Sequence, residues 1–430
     1  MKKVALWTLT TVALMLIWAV GNYLSTTQGW FLKPLAKPSD HAGFMLALEK
    51  KVNEQYKGNL TLLMVEAGEV AGNLNVSKGK PVTSHSVFGV SSVSKWVTAA
   101  GVMKLVEQGL LDLDVPVSNY LTRWQLPDSQ YDNDKVTVRR LLSHTAGLTD
   151  GLGHNGFPVG QPVQSLIEHL TQAKDAEENV SGRVEVGLPP GEQWKYSGGS
   201  YNLLQLLVEE VSQTSFATYM QKHIFEPAGM TDTSFILNRQ DPNLAQYFDN
   251  KAQIKEYPNY TSLAATGLYT TASDLHKFLV TQLPSNINNK QEQKLLSDAS
   301  LATIAQLHAS VSGMPIWGAG AMLYAENDAG GYIIGHGGRS PSLNASVRVN
   351  PATGDGIIVL QTGNEEALAS DLTTYWTVWK TGRPDIFMLK NQIPDMLGTV
   401  VLGGLFILFV SISTAVFRYR KAKKLAAQTS

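Results

Sequence analysis

A serine and a lysine three residues apart are the first candidates for chemistry in this sequence. Ser92 and Lys95 lie in the stretch FGVSSVSKW, residues 88–96, among apolar neighbours. If they begin a helix, the i, i+3 spacing places both side chains on one face and within reach of each other. A serine beside a lysine can act as a nucleophile beside its base. The same spacing also suits a polar helix start with an ordinary surface lysine.

The spacing occurs a second time, at Ser77 and Lys80, so the surrounding sequence has to separate the two pairs. After Ser92, apolar residues recur at helical spacing to about Gly109, which predicts a buried helix with Lys95 in its first turn. Burial disfavours the charged form of an amine and lowers its pKa, as a lysine base requires. Ser77 is instead followed by a glycine and a proline typical of a turn. The context therefore favours Ser92.

Composition limits the remaining chemistry. The 430-residue chain is 43% hydrophobic, enough for a large core, and its formal net charge of -1 gives no electrostatic footprint for nucleic acid. The chain contains no cysteine, which excludes disulfides, thiolate metal sites and cysteine nucleophiles. The histidines show no spacing such as HExxH, so we expect neither a metal site nor a cofactor. GxSxG does not occur, which argues against an α/β-hydrolase.

The first 24 residues place two lysines ahead of a long apolar run. This length fits either a signal peptide or an N-terminal membrane anchor, so residues 1–24 are assigned to one of the two. Ala19 and Gly21 provide the small residues of a weak cleavage site. Residues 25–40, which contain two prolines, are interpreted as a linker.

A second apolar segment, residues 395–418, is followed at once by a basic tail, residues 419–430. About 20 uncharged residues that end at a cationic cluster predict a transmembrane helix, although a buried core helix has similar composition. Positive charge stays on the cytoplasmic side, so the tail and the N-terminal lysines are both expected there. The domain between them is therefore expected outside the cell membrane, on its periplasmic or extracellular side.

Residues 41–385 predict an α/β (α+β) domain. Strand patterns occur near its amino end and again beyond Gly330, whereas residues 112–310 are mostly helical with long loops. One of these helices, TASDLHKFLVTQL, is predicted to be capped at Ser273. Strands at both ends predict an antiparallel sheet built from both termini and flanked by helices, with a helical subdomain inserted between them.

Two further segments offer groups that could act with Ser92. PPGEQWKYSGGSYNLL places Tyr196 in a glycine-rich bend before a helix, where its phenol could be held against the serine. A simple packing aromatic is the other interpretation of Tyr196. GHGGRS, residues 335–340, interrupts a strand with glycines that contribute no packing, which makes sense if a substrate backbone lies along the strand edge.

In their order along the chain, these segments resemble the serine β-lactamase and penicillin-binding protein family, closest to its class C β-lactamase, DD-peptidase and esterase branch. The matching segments extend over roughly residues 45–380. They are FGVSSVSKWVTA, GLLDLDVPVSNYL, VTVRRLLSHTAGL, PPGEQWKYSGGSYNLL, IFEPAGMTDTSF, AATGLYTTASDLHKF and GHGGRSPSLNASVRVNP. The resemblance implies a β-lactamase/transpeptidase-like fold, in agreement with the predicted sheet and helical subdomain.

The resemblance also implies catalytic roles. Ser92 would be the acylated nucleophile and Lys95 its proton acceptor. Tyr196 matches the family's Tyr-x-Asn tyrosine, which acts with the lysine in passing the proton to the leaving group. The oxyanion hole would consist of the backbone N–H groups of Ser92 and Arg339.

The family's substrate-binding strand corresponds to His336, Gly337 and Gly338, which would line the substrate and orient the acyl group. The sequence departs from the family at two places. The asparagine two residues after the tyrosine is Gly198 here, so the amide that usually holds the substrate carbonyl is missing. His336 stands in place of lysine, and both departures favour the esterase and peptidase members over a penicillin-destroying enzyme.

Three other candidates are set aside. Literal Tyr-x-Asn strings at Tyr131–Asn133 and Tyr257–Asn259 lack the flanking segments of the family motif. His144 in LLSHTAGL is interpreted as a structural residue that ties a loop to its neighbours, rather than as a triad histidine.

The sequence thus predicts a membrane-anchored serine hydrolase that cleaves an amide or ester through an acyl-enzyme on Ser92. The expected substrate is a small molecule or peptide, namely a D-alanyl peptide, a small ester or a β-lactam. Loops such as 149–164 and 236–262 would select among these. The alternative, suggested by Gly198, is a catalytically silent penicillin-binding-like sensor or binding protein. The sequence leaves the oligomeric state open.

Overall fold

A central antiparallel sheet organises the part of the chain from Leu35 to Thr381 in the computed structural model. A second unit combines Met1–Pro34 with Gly382–Ser430. The structure describes residues 2–151, 154–287, 294–340, 342–363 and 367–428.

The strands of the main sheet are three to eight residues long, and the four strands outside it have two residues each. In chain order they are β1 Leu60–Glu66, β2 Glu69–Val76, β3 Phe88–Gly89, β4 Tyr247–Phe248, β5 Ile254–Lys255, β6 Tyr269–Thr270, β7 Ala309–Val311, β8 Met314–Trp317, β9 Met322–Glu326, β10 Tyr332–Gly338, β11 Leu343–Val349 and β12 Gly356–Thr362.

The sheet has the order β2-β1-β12-β11-β10-β9-β8-β7, and its adjacent strands pair antiparallel. β1 pairs with β12, with Leu60 opposite Gln361, so strands from the two ends of the domain lie side by side in the sheet. The predicted antiparallel sheet built from both termini is confirmed. Strands β7 to β9 were not predicted, because each is short and glycines with positive φ, Gly313 and Gly320, interrupt the pattern.

Helices cover both faces of the sheet. Ile358 and Leu360 of β12 belong to the main hydrophobic cluster, and β12 also contacts the helices Ala272–Thr281 and Leu368–Thr381. The alternate residues Ile357 and Val359 are equally buried, which places apolar side chains on the opposite face as well. This two-sided burial explains why β12 is apolar throughout rather than alternating.

Helices joined by long loops are the main regular elements of the inserted region, as predicted. In chain order the helices are α1 Lys2–Thr27, α2 His41–Gln55, α3 Val93–Glu107, α4 Val138–Leu142, α5 Leu166–Thr171, α6 Gly198–Ser212, α7 Phe216–Met220, α8 Leu263–Thr266, α9 Ala272–Thr281, α10 Asp298–Ala305, α11 Leu368–Thr381 and α12 Ile386–Gln428. Single turns of other helix types occupy Val117–Asn119, Asn133–Lys135 and Gln221–Phe225.

The cap predicted for α9 is wrong by two residues. Thr271, not Ser273, is the N-cap, and its hydroxyl accepts the backbone N–H of Asp274 at 3.0 Å. A capping residue needs an extended backbone, which Thr271 has at φ -109° and ψ 161°. Ser273 already lies within the first helical turn.

The second unit contains two long apolar helices. α1 over Val4–Thr27 and α12 over Ile386–Leu425 have mean hydropathies of 2.0 and 2.5 and are long enough to cross a membrane. A core helix or a signal sequence can have the same length and composition, so hydropathy alone does not assign them to a membrane.

Candidate active site

A strained turn presents Ser92 at the amino end of α3. Ser91 is buried and has a positive φ of 46°, a conformation that costs energy for a residue other than glycine. Ser94 holds the turn, since its hydroxyl donates to the Ser91 carbonyl at 2.6 Å and accepts the Leu268 N–H at 3.1 Å. Ser92 is the N-cap of α3 and is partly exposed. The positive end of the helix dipole therefore faces the position of this hydroxyl.

Lys95 lies in the first turn of α3, directly beside Ser92. Its Nζ donates to Ser92 Oγ at 3.2 Å and to the carbonyl of Ala265 at 2.8 Å. The residue is only 2% exposed. Burial lowers the pKa of Lys95 to about 7, although the negative charge of Asp150 opposes this change. At neutral pH a large fraction of Lys95 is therefore neutral and able to accept a proton.

Tyr196 is the third residue of the group that contains Ser92 and Lys95. Its hydroxyl forms a hydrogen bond with Ser92, and its ring centroid lies 5.0 Å from Lys95 Nζ. Burial raises the pKa of Tyr196, against the lowering effect of the hydrogen bond to Ser92, so the phenol keeps its proton at neutral pH. The structure thus brings together the three residues that the sequence proposed from distant segments.

Aromatic packing positions Tyr196. The His144 ring lies 4.4 Å from the Tyr196 ring, and the Trp317 ring lies 5.5 Å from it. The backbone of His144 also accepts the Lys195 N–H at 2.8 Å, and its Nδ1 accepts the Ser197 N–H at 3.2 Å. Burial holds the pKa of His144 well below its usual range, which fits its role as an acceptor. His144 therefore ties the tyrosine segment to the loop after α4.

Asp150 is a site residue that the sequence analysis missed. Its Oδ1 accepts the Ser197 hydroxyl at 2.5 Å, and its Oδ2 accepts the Gly199 N–H at 2.6 Å. Ser197 in turn caps α6 by accepting the Ser200 N–H at 2.9 Å. Burial raises the pKa of Asp150. Acidic residues are common in loops, and no motif distinguishes Asp150, so the sequence could not identify it as an anchor of the site.

The segment of β10 at His336 to Gly338 lies beside the nucleophile turn. β9 pairs with β10 only as far as Gly335 in the described ladder, so residues 336–338 pair with β11 alone. A side chain on Gly338 would overlap the carbonyl of Val90. The expectation that these glycines contribute nothing to packing is therefore wrong for Gly338, because close approach of the nucleophile turn requires it. Gly337 has more room, with no atom closer than 3.8 Å to an added Cβ.

His336 itself points into the protein and is 1% exposed. Its Nδ1 bonds to the Gly337 carbonyl at 2.6 Å, and Trp317 packs edge-on at 5.3 Å between ring centroids. Burial lowers the pKa of His336 to about 3, and the Lys95 charge acts in the same direction. This imidazole is neutral at physiological pH. Arg339 follows directly on the strand and is exposed.

Gly198 is explained by a neighbouring histidine. It is the first residue of α6, and a Cβ added there would lie 2.6 Å from His154 Nε2. The imidazole of His154 therefore fills the space that a side chain at position 198 would need. The missing asparagine reflects this packing, and no asparagine fits at Gly198 unless His154 moves.

The second serine–lysine pair forms no comparable group. Ser77 Oγ accepts the Val82 N–H at 2.9 Å. Lys80 Nζ donates to the carbonyl of Pro242. These contacts hold a surface turn, as the sequence predicted.

Comparison with known proteins identifies the family. The sequence model of the Beta-lactamase family matches residues 48–377, and the chain belongs to that family. A penicillin-binding protein of Bacillus subtilis is 30% identical over 213 residues, which cover 47% of this chain and 43% of that protein. Protein flp of Staphylococcus aureus is 22% identical over 331 residues, 74% of this chain and 62% of flp. The match thus spans less than two thirds of either relative's length.

Solved structures agree on the fold. The octameric penicillin-binding protein homologue from Pyrococcus abyssi has a TM-score of 0.65 at 25% identity, with 80% of this chain and 78% of that chain covered. A β-lactamase/D-alanine carboxypeptidase from Pseudomonas syringae has a TM-score of 0.61 at 17% identity, covering 77% and 98%. A D-stereospecific amidohydrolase from Streptomyces has a TM-score of 0.59 at 20% identity, covering 80% and 99%. These likenesses support the fold, and the class C branch stays a prediction.

The contact between Gly198 and His154 can be tested by a double-mutant cycle. Gly198→Ala is expected to lower the free energy of unfolding by about 1–3 kcal/mol, because the new methyl group collides with His154. In a His154→Ala background the same substitution should cost much less. Urea unfolding of the four proteins measures both effects. Gly331→Ala, where an added Cβ meets no atom closer than 3.5 Å, is the control. Additive effects would contradict the steric explanation.

Proposed function

We propose that the domain is a serine hydrolase that cleaves an amide or ester through an acyl-enzyme on Ser92. The observation that carries the proposal is the buried Lys95 amine, 3.2 Å from Ser92 Oγ and with a pKa lowered to about 7. A purely structural role for Lys95 would not require a neutral amine. A lysine base gains the ability to take the serine proton at neutral pH.

Acylation begins when neutral Lys95 accepts the proton of Ser92 Oγ and the oxygen attacks the substrate carbonyl. Negative charge then develops on the carbonyl oxygen. Backbone N–H groups of Ser92 and Arg339 are proposed to bind it, with the amino end of α3 adding a favourable field. The tight contact between Gly338 and the Val90 carbonyl supports this pairing, because it holds the start of Arg339 against the nucleophile turn.

Collapse of the intermediate needs a proton for the leaving nitrogen or oxygen. Tyr196 keeps its proton and bonds to Ser92, so it can donate to the leaving atom while Lys95 returns a proton to the phenol. The acyl group stays on Ser92 as an ester. Water then attacks this ester, with Lys95 and Tyr196 acting in the reverse direction, and the free serine is restored.

The substrate class we propose is a D-alanyl peptide, a related amide or a small ester, with β-lactams as acylating agents. Two proteins of similar fold are a β-lactamase/D-alanine carboxypeptidase and a D-stereospecific amidohydrolase. Gly198 provides no amide for a substrate carbonyl, and His336 is neutral where the family often has a cation. Both features favour peptidase and esterase chemistry over hydrolysis of penicillins.

We further propose that α1 and α12 together anchor the domain in the cell membrane, with both chain ends in the cytoplasm. Thr11 and Ser411 share a hydrogen bond of 2.5 Å between their hydroxyls. Trp18 Nε1 donates to the Thr399 carbonyl at 3.3 Å, and a side chain on Gly403 would overlap the Trp18 ring. Polar pairs and small residues of this kind support association between membrane helices.

The charge distribution agrees with this topology. The guanidinium of Arg418 lies 4.8 Å from the Trp7 ring centroid, so the basic end of α12 adjoins the start of α1. Positively charged residues near both chain ends belong on the cytoplasmic side. The hydrolase domain is then on the outer side, and α1 is a retained anchor rather than a cleaved signal.

Labelling with a fluorescent fluorophosphonate and a fluorescent penicillin tests the proposed nucleophile. Ser92→Ala should abolish labelling, and Lys95→Ala should slow it by about 10²–10⁴-fold through loss of the base. Ser77→Ala is the matched control and should label like the wild-type chain. Labelling that survives Ser92→Ala would contradict the hydrolase proposal. If neither these probes nor any D-amino-acid peptide or ester reacts, the silent sensor is the better description.

The acylation rate should depend on pH through Lys95. Below its pKa of about 7 the amine is protonated, so the rate should rise about tenfold per pH unit and level off above pH 7. Stopped-flow or gel-based labelling between pH 5 and pH 9 measures the profile. A rate that is flat across this range, or falls as pH rises through 7, would exclude neutral Lys95 as the base.

Retention of α1 can be measured on protein extracted from membranes. The intact mass should include the residues before Gly21, because α1 stays paired with α12. Replacing Gly403 by leucine should weaken the pair and lower the thermal stability of the helices in detergent, whereas Gly398→Leu, at a glycine with no neighbour within 4 Å of an added Cβ, should not. A mature chain that begins after Gly21 would show that α1 is a signal peptide.

A further inference from the structure

A second cluster of titratable side chains lies behind the active site. His154, His169 and Asp175 each offer one ligand atom, and these atoms all lie within 4.8 Å of one another. The side chains are 7%, 0% and 2% exposed, respectively. The proposed hydrolysis uses none of them. Buried histidines and carboxylates are costly unless they are paired, so this grouping requires its own explanation.

The backbone holds the three ligands in a fixed arrangement. His154 forms a β-bridge with Ala176, and the Asn155 N–H donates to the Asp175 carbonyl at 2.8 Å. His169 lies on α5, whose start is fixed by a capping box. Asp175 Oδ2 accepts the Gly156 N–H at 3.1 Å, which orients the carboxylate and leaves Oδ1 facing both imidazoles.

The distances around Asp175 Oδ1 are compatible with a shared ion. His169 Nε2 lies 2.6 Å from this oxygen, and His154 Nδ1 lies 3.7 Å from it. His154 Nδ1 is buried and has no hydrogen-bond partner among the described residues. Around a tetrahedral zinc ion with bonds of about 2.0 Å, ligand atoms lie about 3.3 Å apart. His169 would therefore move about 0.7 Å away from Asp175 Oδ1, and His154 would move about 0.4 Å towards it.

Asn202 on α6 provides the outer hydrogen bonds that metal-binding histidines require. Its side-chain nitrogen lies 3.2 Å from His154 Nε2 and 3.2 Å from His169 Nδ1, the ring nitrogens that face away from Asp175. Exchanging the amide oxygen and nitrogen of Asn202 places the oxygen where the nitrogen lay. The oxygen then accepts one N–H from each imidazole ring. The two remaining ring nitrogens then present lone pairs beside Asp175 Oδ1. Such an outer acceptor is usual for histidine ligands.

We propose that His154, His169 and Asp175 bind a zinc ion, with Asn202 as the acceptor that orients both imidazoles. Two imidazole nitrogens and one carboxylate oxygen are a ligand set that Zn²⁺ prefers, and a water molecule would complete the tetrahedron. Short motifs such as HExxH do not reveal this group, which is why the sequence predicts no metal site. These ligands come from a loop, a helix and a turn, and no HExxH pattern connects them.

The ion would hold His154 in a fixed position beside the active site. His154 packs against Gly198, which follows Tyr196 and Ser197 in the chain. Fixing His154 therefore fixes the segment beside the phenol. The ion has no part in the acylation steps, and the proposal stands independently of the hydrolase activity.

Metal content tests the proposal on the full chain in detergent, purified through an affinity tag that contains no histidine. After incubation with Zn²⁺ and desalting, elemental analysis should find about one zinc per chain. Asp175→Asn and His169→Ala should lose it, and Asn202→Ala should weaken binding about 10–100-fold. His85→Ala removes an exposed histidine and is the control. Zinc should also raise the melting temperature of the wild-type chain and of the control, but not of the ligand variants.

Co²⁺ titration of the wild-type chain keeps the test independent of variant folding. A tetrahedral site should give saturable visible absorption bands that Zn²⁺ displaces. Absence of these bands, or zinc retained equally by the wild-type chain and Asp175→Asn, would overturn the proposal and leave a metal-free hydrogen-bond network. Fluorophosphonate labelling of Ser92 in the same samples shows separately whether the hydrolase site is intact.

Discussion

A buried amine beside a hydroxyl is the interaction on which the rest of this structure depends. Moving Lys95 out of water lowers its pKa from 10.5 to about 7, which corresponds to about 5 kcal/mol of preference for the neutral form. The surrounding packing has to supply that energy. α3 is buried along nearly its whole length, and Lys95 is only 2% exposed, so its amine has almost no access to bulk water. The lowered pKa of Lys95, on which the proposed reactivity of Ser92 rests, is therefore a consequence of core packing.

Precise placement of Tyr196 is the second requirement, and two independent contacts provide it. His144 packs against the phenol ring and receives the N–H of the next residue, while Asp150 anchors Ser197 and the first turn of α6. Both anchors come from the loop after α4, so this loop determines where the phenol lies. The negative charge of Asp150 also limits how far the pKa of Lys95 falls. One loop thus affects both the position of Tyr196 and the pKa of Lys95, the proposed proton donor and base.

Packing explains two glycines of the candidate site, of which Gly198 departs from the family pattern and Gly338 matches it. Gly198 leaves space for the His154 ring, and Gly338 allows the carbonyl of Val90 to approach the strand. At both positions a neighbouring group lies too close for a side chain, which explains the glycine. His154 belongs at once to the wall of the active site and to the buried His154, His169 and Asp175 cluster. His154 therefore links the packing of the cluster to the start of α6.

Local sequence determined much of this protein because the relevant signals are short-range. Helical periodicity after Ser92 predicted the helix that buries Lys95, and strand patterns at both ends predicted the antiparallel sheet in which β1 meets β12. Short strands interrupted by glycines, β7 to β9, and the cap at Thr271 were missed because their signals are weak or lie two residues away. Only the tertiary structure decided that Asp150 anchors Tyr196, that His154 fills the space at Gly198, and that Asp175 lies between two histidines. These relations join segments far apart in the chain, and contacts of that kind are set by packing, which no local pattern encodes.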